Sequence, residues 1–481
     1  MDTTKISTDI VCSEITKKSA DPTRLTARLR AILAVVLIAD ILDLMDSTIT
    51  NIAAPSIVQN IGGGQSLIKW LGASYALAIG ILLVIGGRLG DRYGNRRMFL
   101  IGITGFTAAS LLCGLSVSPT MIIIGRLIQG SFGALLIPQG MSILVSTFSR
   151  EQLPSAFSAF GPVMSISSIF GPIFAGLIID ANIAGLAWRP MFLINIVLGL
   201  SGLFAAVKLL PPDQGNSDEK LDLLGSALLA VSMFGWIFGL IAGSTEGWTG
   251  FPIASLLIGS VFFAGFAFRQ YHTANPLIKP SLLTNRGFTS GLLLGLAFFA
   301  AVSGLAYIIS LFFQMVLHLT PSQAAYGLSP MALGVVISSL VFRPRLKTLG
   351  RKLVVIGLIA TLLGALGLWA VVWLEGTAIN AWLTALPILV IGAGMGACFS
   401  SIYEVALGDI ARDEAGSASG SLSAVQQLAS AIGSAVVTTI YFNVRGGGAN
   451  AMAVSTMVVA ASVALCLGLV WLLPKTAPDD D

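Results

Sequence analysis

The sequence predicts an all-α membrane protein with fourteen transmembrane helices, and three observations carry that expectation. Of its 481 residues, 55% are hydrophobic and only 10% charged, with a mean hydropathy of +0.88, a balance outside the range of soluble domains. Apolar stretches of about 20 residues, the length that spans a ~30 Å hydrocarbon core, recur from end to end. The lysines and arginines fall almost entirely between alternate stretches, as a fixed membrane orientation requires.

Taken in order, residues 1–30 are polar. The stretch behind them is too long for a signal peptide and lacks an A-x-A-like site, so they are expected to remain as a cytoplasmic tail. Helices are expected at 31–55, 66–87, 97–117, 120–147, 155–179 and 190–210, which makes a six-helix unit over 31–210. The polar run PPDQGNSDEKLD (211–222) interrupts the pattern, two helices follow at 222–243 and 251–268, and RQYHTANPLIKPSLLTNRG (269–287) closes this insertion at 287. Six more helices, at 288–317, 325–342, 353–374, 380–408, 416–441 and 452–473, fill the unit 288–474, and 475–481 forms a second tail. Each six-helix unit has a basic loop between its second and third helices, GGRLGDRYGNRR (86–97) and FRPRLKTLGRK (342–352). That recurrence suggests two parallel repeats with a two-helix insertion between them.

An even helix count puts both termini on one side. With the N-terminus inside, the cytoplasmic segments hold 23 of the 27 Lys and Arg residues. Lys69, Arg189 and Arg445 lie outside, and Arg126 lies within a helix. The net charge of +4 is therefore a signal of topology and not of nucleic-acid binding. No G-x-x-x-x-G-K-[ST] run occurs, so active transport would draw on an ion gradient. Cys12, Cys113, Cys398 and Cys466 show no paired spacing, and His272 and His318 lie far apart, so neither a metal site nor a cofactor is expected.

Within the first helix the stretch DILDLMDSTITN (40–51) sets three acids in an otherwise apolar run. An intramembrane carboxylate costs roughly 2.5 to 3.5 kcal/mol on insertion scales, so these need water, partners or a purpose. At about 100° per residue, Asp40, Asp43 and Asp46 share an arc of roughly 120°, with Asn51 at its edge. A rise of ~1.5 Å per residue puts Asp46 at a depth similar to that of Arg126, which enters from the other side, so the two can pair. Asp40 and Asp43 have no evident positive partner, which makes them candidates to carry protons and attract cations. A wet seam between helices is the alternative reading of the same stripe.

Several motifs resemble those of the major facilitator superfamily and, within it, the fourteen-helix drug/proton antiporters. GGRLGDRYGNRR is similar to the superfamily loop G-x-L-x-D-R-x-G-x-R-R, and RLIQGSFGALLIP (126–138) to the fourth-helix R-x-x-Q-G motif. FGPIFAG (170–176) resembles the fifth-helix antiporter motif, with Ala175 for the first glycine of its usual pair. LMDSTITNIAAP (44–55) resembles the first-helix L-D-x-T-I-x-N-x-A-x-P and aligns its aspartate with Asp46, so the roles of the three acids are open. WRPMFLIN (188–195), ANPLI (274–278), NRGF (285–288) and EAGSASG (414–420) add to a match over nearly the whole chain.

The resemblance implies the major facilitator fold, with a cavity lined by helices 1, 4, 9 and 12. Asp40, Asp43, Asp46, Arg126, Gln129, Gln314, Tyr403 and Glu404 would then form the proton and substrate site, beside an apolar wall of Phe132, Met395, Phe399 and Tyr403. Glu404 could instead be a solvated helix-end charge. Gly87, Gly90, Asp91, Arg92, Gly94 and Arg96 would form a cytoplasmic latch favouring the outward-open state, the alternative being that the loop's basic residues are topology signals alone. The second loop, with Thr348 and Leu349 where an acid is expected, would latch weakly or not at all. Gly171, Pro172 and Gly176, with Gly161 and Pro162, would either bend the fifth helix to seal the cavity or simply pack and kink it.

The expected function is proton-coupled antiport, not enzymatic catalysis. Amphipathic cationic drugs would be exported from a monomer in the bacterial inner membrane, with both termini cytoplasmic. Its partners are then a small-molecule substrate, protons and the bilayer. The alternative is export of an endogenous metabolite or siderophore, anionic if Arg126 contacts it. The orientation is testable by reporter fusions: a fluorescent protein that matures only in the cytoplasm should shine when placed in 211–222 or at the C-terminus, and stay dark when inserted near residue 117.

Overall fold

A computed structural model describes residues 25–149, 152–213, 215, 222–273, 276, 280–342, 349–407, 415–444 and 446–473. Among them are fourteen helices of 20 or more residues: α1 (Ala27–Ile61), α2 (Gly64–Tyr93), α3 (Asn95–Gly114), α4 (Pro119–Thr147), α5 (Leu153–Ala181), α6 (Arg189–Leu209), α7 (Leu223–Glu246), α8 (Gly250–His272), α9 (Arg286–Leu311), α10 (Pro321–Phe342), α11 (Arg351–Glu375), α12 (Ala385–Leu407), α13 (Ala415–Asn443) and α14 (Gly448–Leu469). Twelve of the helices are long and apolar enough to cross a membrane. The chain is a multi-pass, all-helical membrane protein. The two others are α1, whose apolar run the acids interrupt, and α5, whose described apolar stretch is Phe170–Ala181. Residues 1–24 and 475–481 of the expected tails, the run 343–348 with Thr348, and most of ANPLI lie outside the described residues, while α1 begins at Ala27 and takes in the last four residues of the expected tail 1–30.

Local chemistry fixes the helix ends. Thr26, Ser118 and Asn285 each accept a hydrogen bond from a backbone N–H three residues on, at Leu29, Met121 and Phe288, which satisfies a donor the helix cannot. The turn between α2 and α3 is a single residue, Gly94, at φ 94°, a left-handed conformation open to a residue without a side chain. Long helices in this order run up and down. One end of the bundle, where the chain enters α1, is called here the entry end, and the other the far end.

The helix contacts repeat. In the first six helices, α4 packs on α2 and α3, α1 on α5 and α6, and α3 on α6; in the last six, α12 packs on α10 and α11, α9 on α13 and α14, and α11 on α14. The contacts across the middle, α2 with α13 and α5 with α10, exchange under the same correspondence. The inserted α7 and α8 pack as a hairpin whose α7 lies on α2 and α13. Asp222 caps α7 through the Gly225 N–H at 2.8 Å and accepts from Arg269 of α8 at 2.7 Å, which pins the two helices together.

At the far end the two sets of helices are joined by hydrogen bonds. Gln314 donates to the Ile52 carbonyl at 3.2 Å, Ser310 to the Asn51 carbonyl at 3.1 Å, and Tyr307 to the Ile68 carbonyl. Asp180 at the end of α5 accepts from the Ser322 hydroxyl and, at 3.2 Å, from the Ser322 N–H at the start of α10. Gly176 makes that approach possible, because a Cβ there would sit 2.6 Å from the Ser322 Cα. Gly176→Leu should therefore lower stability by about 1–3 kcal/mol, the usual scale of overpacking. Gly72→Ala, where nothing lies within 4 Å, should leave it nearly unchanged. Thermal unfolding of the detergent-purified proteins makes the comparison.

Candidate functional site

The three acids of α1 are all buried, with Asp40 and Asp43 each 7% exposed and Asp46 1%. The hydroxyls of Ser47, Thr48 and Thr50 on α1 itself do not supply partners. Ser47 and Thr48 bond back to the Leu44 carbonyl, and Thr50 to the Asp46 carbonyl, all within α1. Partners must come from neighbouring helices, and the three carboxylates are served very differently.

Asp46 is held from three sides. Arg126 of α4 donates to its Oδ2 and forms a buried ion pair, while Gln129 and Asn195 donate to its Oδ1 at 2.8 and 2.9 Å. Gln129 and Asn195 also converge on Ser110 Oγ, at 2.8 and 3.4 Å, and Ser110 donates to the Phe106 carbonyl. Arg126 has further partners in the Leu71 carbonyl at 3.3 Å and Gln129 Oε1 at 2.8 Å. Its guanidinium lies 4.2 Å from the Tyr75 ring centre and 5.9 Å from that of Phe192. Five helices, α1, α2, α3, α4 and α6, thus meet in one network. A buried ion pair recovers its desolvation cost only when further donors and acceptors surround it; here both Asp46 oxygens are bonded, and Asn195 Oδ1 is left without a partner among the described residues.

Asp43 receives one side-chain hydrogen bond, from the Tyr75 hydroxyl to Oδ1. Asp40 Oδ2 has no hydrogen-bond partner among the described residues. The stripe therefore grades along α1 from a locked carboxylate through a singly bonded one to one with an orphaned oxygen.

Other expected site residues lie apart from this cluster. Gln314 sits in the π-helical turn Phe312–Val316 that continues α9 at the far end. There, with Pro55, Ser56, Gln59, Met315, His318, Leu319 and Pro321, it lines a separate cavity of about 350 Å³. Phe132 packs among the first six helices, with its ring against Gly105 of α3. Met395 packs against the core and Phe399 lies edge-on to Phe299 of α9, ring centres 5.3 Å apart. The side chains of Tyr403 and Glu404 lie outside the described residues. Tyr75, Ser110 and Asn195 carry no charge pattern that marks them in the sequence; only WRPMFLIN, which ends at Asn195, gave a hint of one.

Around the basic loop, Arg96 donates to the Val207 carbonyl at 2.7 Å, and Asp213, from the linker after α6, accepts from the Asn95 and Arg96 N–H groups. Arg88 donates to the Pro276 carbonyl of the second linker at 3.3 Å. Gly87 faces Pro138 and Gly90 faces Gln139 of α4, while Asp91 is exposed and Arg92 lies over the Tyr93 ring. In α5, Gly171 faces Thr48 of α1, beside Pro172; the side chain of Pro162 and the surroundings of Gly161 lie outside the described residues.

The sequence profile of the Major Facilitator Superfamily matches residues 36–434. The chain belongs to that superfamily and is a membrane transporter. Among proteins similar to it, a "Probable actinorhodin transporter" of Streptomyces coelicolor is 37% identical over 430 residues, 88% of this chain and 74% of that protein. The "Tetracenomycin C resistance and export protein" of Streptomyces glaucescens is 30% identical over 82% of this chain and 72% of its own length. "Multidrug resistance protein 3" of Bacillus subtilis is 30% identical over 85% and 79%. Solved structures share the fold at low identity. A peptide transporter of the POT family in complex with sulfate superposes with a TM-score of 0.70 at 17% identity, over 95% of this chain and 98% of that one. The xylose transporter XylE of E. coli gives 0.65 at 14%, over 95% and 100%.

The network makes a stability prediction. Asp46→Asn leaves the Arg126 charge buried without its counter-ion and should cost about 3–5 kcal/mol. Adding Arg126→Gln to it should cost less than the sum of the two single changes. A double-mutant cycle from reversible chemical unfolding in detergent measures the coupling.

Proposed function

We propose that the protein is a proton-coupled antiporter that exports amphipathic, cationic compounds by alternating access. The observation that carries this reading is the unequal treatment of three buried acids on one helix face. Asp46 is engaged by Arg126, Gln129 and Asn195, whereas among the described residues Asp43 has only the Tyr75 hydroxyl and Asp40 has an oxygen without a partner. A transporter that exchanges a proton for a cation needs a carboxylate that can hold either and is not consumed by a fixed counter-ion. Asp43 and Asp40 meet that need and Asp46 does not. The relatives named for multidrug resistance and antibiotic export support drug efflux as the context.

Several features belong to the same proposal. All fourteen long helices cross the membrane, as a six-helix bundle over 31–210 and another over 288–474, with the pair inserted at 211–287; the recurring helix pairings support it. Both termini are cytoplasmic, so the entry end is the inner face of the cell membrane, and the transporter works as a monomer. Loop residues Gly87, Gly90, Asp91, Arg92, Gly94 and Arg96 act as the inner latch, and Gly171, Pro172 and Gly176 hold α5 against leak.

A second reading, export of one endogenous metabolite, is favoured by relatives whose names specify a single compound each. An anion gripped by Arg126 fits that reading poorly, since the guanidinium is 1% exposed and already bonded to Asp46, Gln129 and Leu71.

Proton release from the purified protein on adding a panel of cationic and anionic compounds tests the choice. Cations should release protons from the wild type, and Asp43→Asn, which folds because the change adds no bulk, should release at least tenfold less and lose uphill transport. Release triggered by anions alone would sink the cation reading, and normal coupling in folded Asp43→Asn would move the proton site elsewhere.

A further inference from the structure

Beside the acids, Tyr75 of α2 touches both charged systems at once. Its ring covers the Arg126 guanidinium at 4.2 Å, and its hydroxyl donates to Asp43 Oδ1. The residue is 3% exposed. Gly133 of α4 completes the contact from the other side: a Cβ there would lie 3.2 Å from the Tyr75 hydroxyl and 3.3 Å from Asp43 Oδ1, closer than a carbon comfortably approaches either. A residue without a side chain thus leaves room for the hydroxyl and the carboxylate to meet.

We infer that Tyr75 is the positioning residue that sets the proton affinity of Asp43 and ties its protonation state to the Asp46–Arg126 pair. This rests on the reading of Asp43 as the proton carrier. A phenol can donate or accept. To an ionised Asp43 it donates. Once Asp43 takes up a proton, the new acid O–H is itself a donor, so the Tyr75 hydroxyl must turn to accept or let go. Tyr75 keeps its own proton throughout, and the proton exchanged with water is the one on the Asp43 carboxyl. Turning to accept rotates only the O–H about its bond to the ring, whereas letting go frees the ring to slide over the guanidinium, and by that route the event on α1 is felt by Arg126 on α4.

Among the described residues the titratable groups around Asp43 are few. Asp40 and Asp46 flank it on α1, Tyr75 faces it from α2 and Arg126 from α4. Cys113 of α3 reaches Gln129 at 3.8 Å. α5 has no ionisable residue before Asp180, and α6 has only Arg189 and Lys208 at its two ends. Further along, Lys69 of α2 lies over the Phe442 ring and Tyr307 of α9 bonds the Ile68 carbonyl.

Infrared titration of the purified full-length protein tests the inference without any ligand. The carboxylic-acid carbonyl band that vanishes in Asp43→Asn is the signal of protonated Asp43. In Tyr75→Phe, which keeps the ring over Arg126, the pH midpoint of that band should move by about one unit or more, the scale of a hydrogen bond to a charged group. Thermal unfolding of that variant should stay near wild type. Gly133→Ala should move the same midpoint from a different helix. Tyr75→Leu should move it and also lower the unfolding temperature, because the ring over the guanidinium is gone. An unmoved midpoint in folded Tyr75→Phe overturns the role of Tyr75, whatever the proton-release assay on the wild type gives. If no titrating band is lost in Asp43→Asn, the proton-carrier reading fails and the inference fails with it. Tyr75-dependent titration with no substrate-induced proton release would instead overturn the antiport reading alone.

Discussion

Placing a full positive and a full negative charge in the middle of an apolar helix bundle is the constraint around which the first six helices are arranged. Neither Asp46 nor Arg126 can be left alone there, and even together they need their remaining hydrogen-bonding capacity filled. That requirement brings Gln129 from the same helix as Arg126, Asn195 from α6, Ser110 from α3 and the Leu71 carbonyl from α2. Small and polar residues appear at those positions because the helices must come close enough for short side chains to reach. The network therefore acts as a fixed point. It aligns five helices and removes Asp46 from the set of groups free to change partners.

What remains mobile is decided by distance from that point. Asp43 is one helical turn nearer the entry end and meets a phenol instead of a cation. Asp40 is another turn along, and one of its oxygens has no partner among the described residues. A single helix face thus carries one acid held in an ion pair and two with fewer partners among the described residues. The division follows from where α2, α4 and α6 place their donors, since the three acids are chemically identical. Tyr75 spans the boundary between the fixed and the variable parts, which is why its hydroxyl and its ring have separate consequences.

The contacts between the two sets of six helices show a second design principle. They depend on backbone approach and on helix ends more than on long side chains. Asp180 caps the start of α10 from the end of α5, and Gly176 lets the two backbones meet. Ser310 and Gln314 reach backbone carbonyls of α1. Hydrogen bonds of this kind are individually modest.

Hydropathy and charge were enough to place the helices. Their ranges follow from the ~30 Å apolar thickness, an element-by-element constraint that a one-dimensional pattern records directly. Depth along two helices also brought Asp46 and Arg126 to the same level, because the rise per residue is fixed. The rest of the site depended on rotation and lateral packing. Nothing local tells that Tyr75 turns to Asp43, or that Ser110 and Asn195 close on Asp46. Phe132 has the same spacing as a cavity residue yet packs on Gly105, and Gln314 shares a helix with the expected cavity but sits at its far end, in a π turn. The sequence by itself determined which segments form the long helices and which of them carry charge. Only the tertiary structure decided which charge is paired, because that choice depends on how neighbouring helices turn their faces, and those rotations are set by the simultaneous packing of all of them.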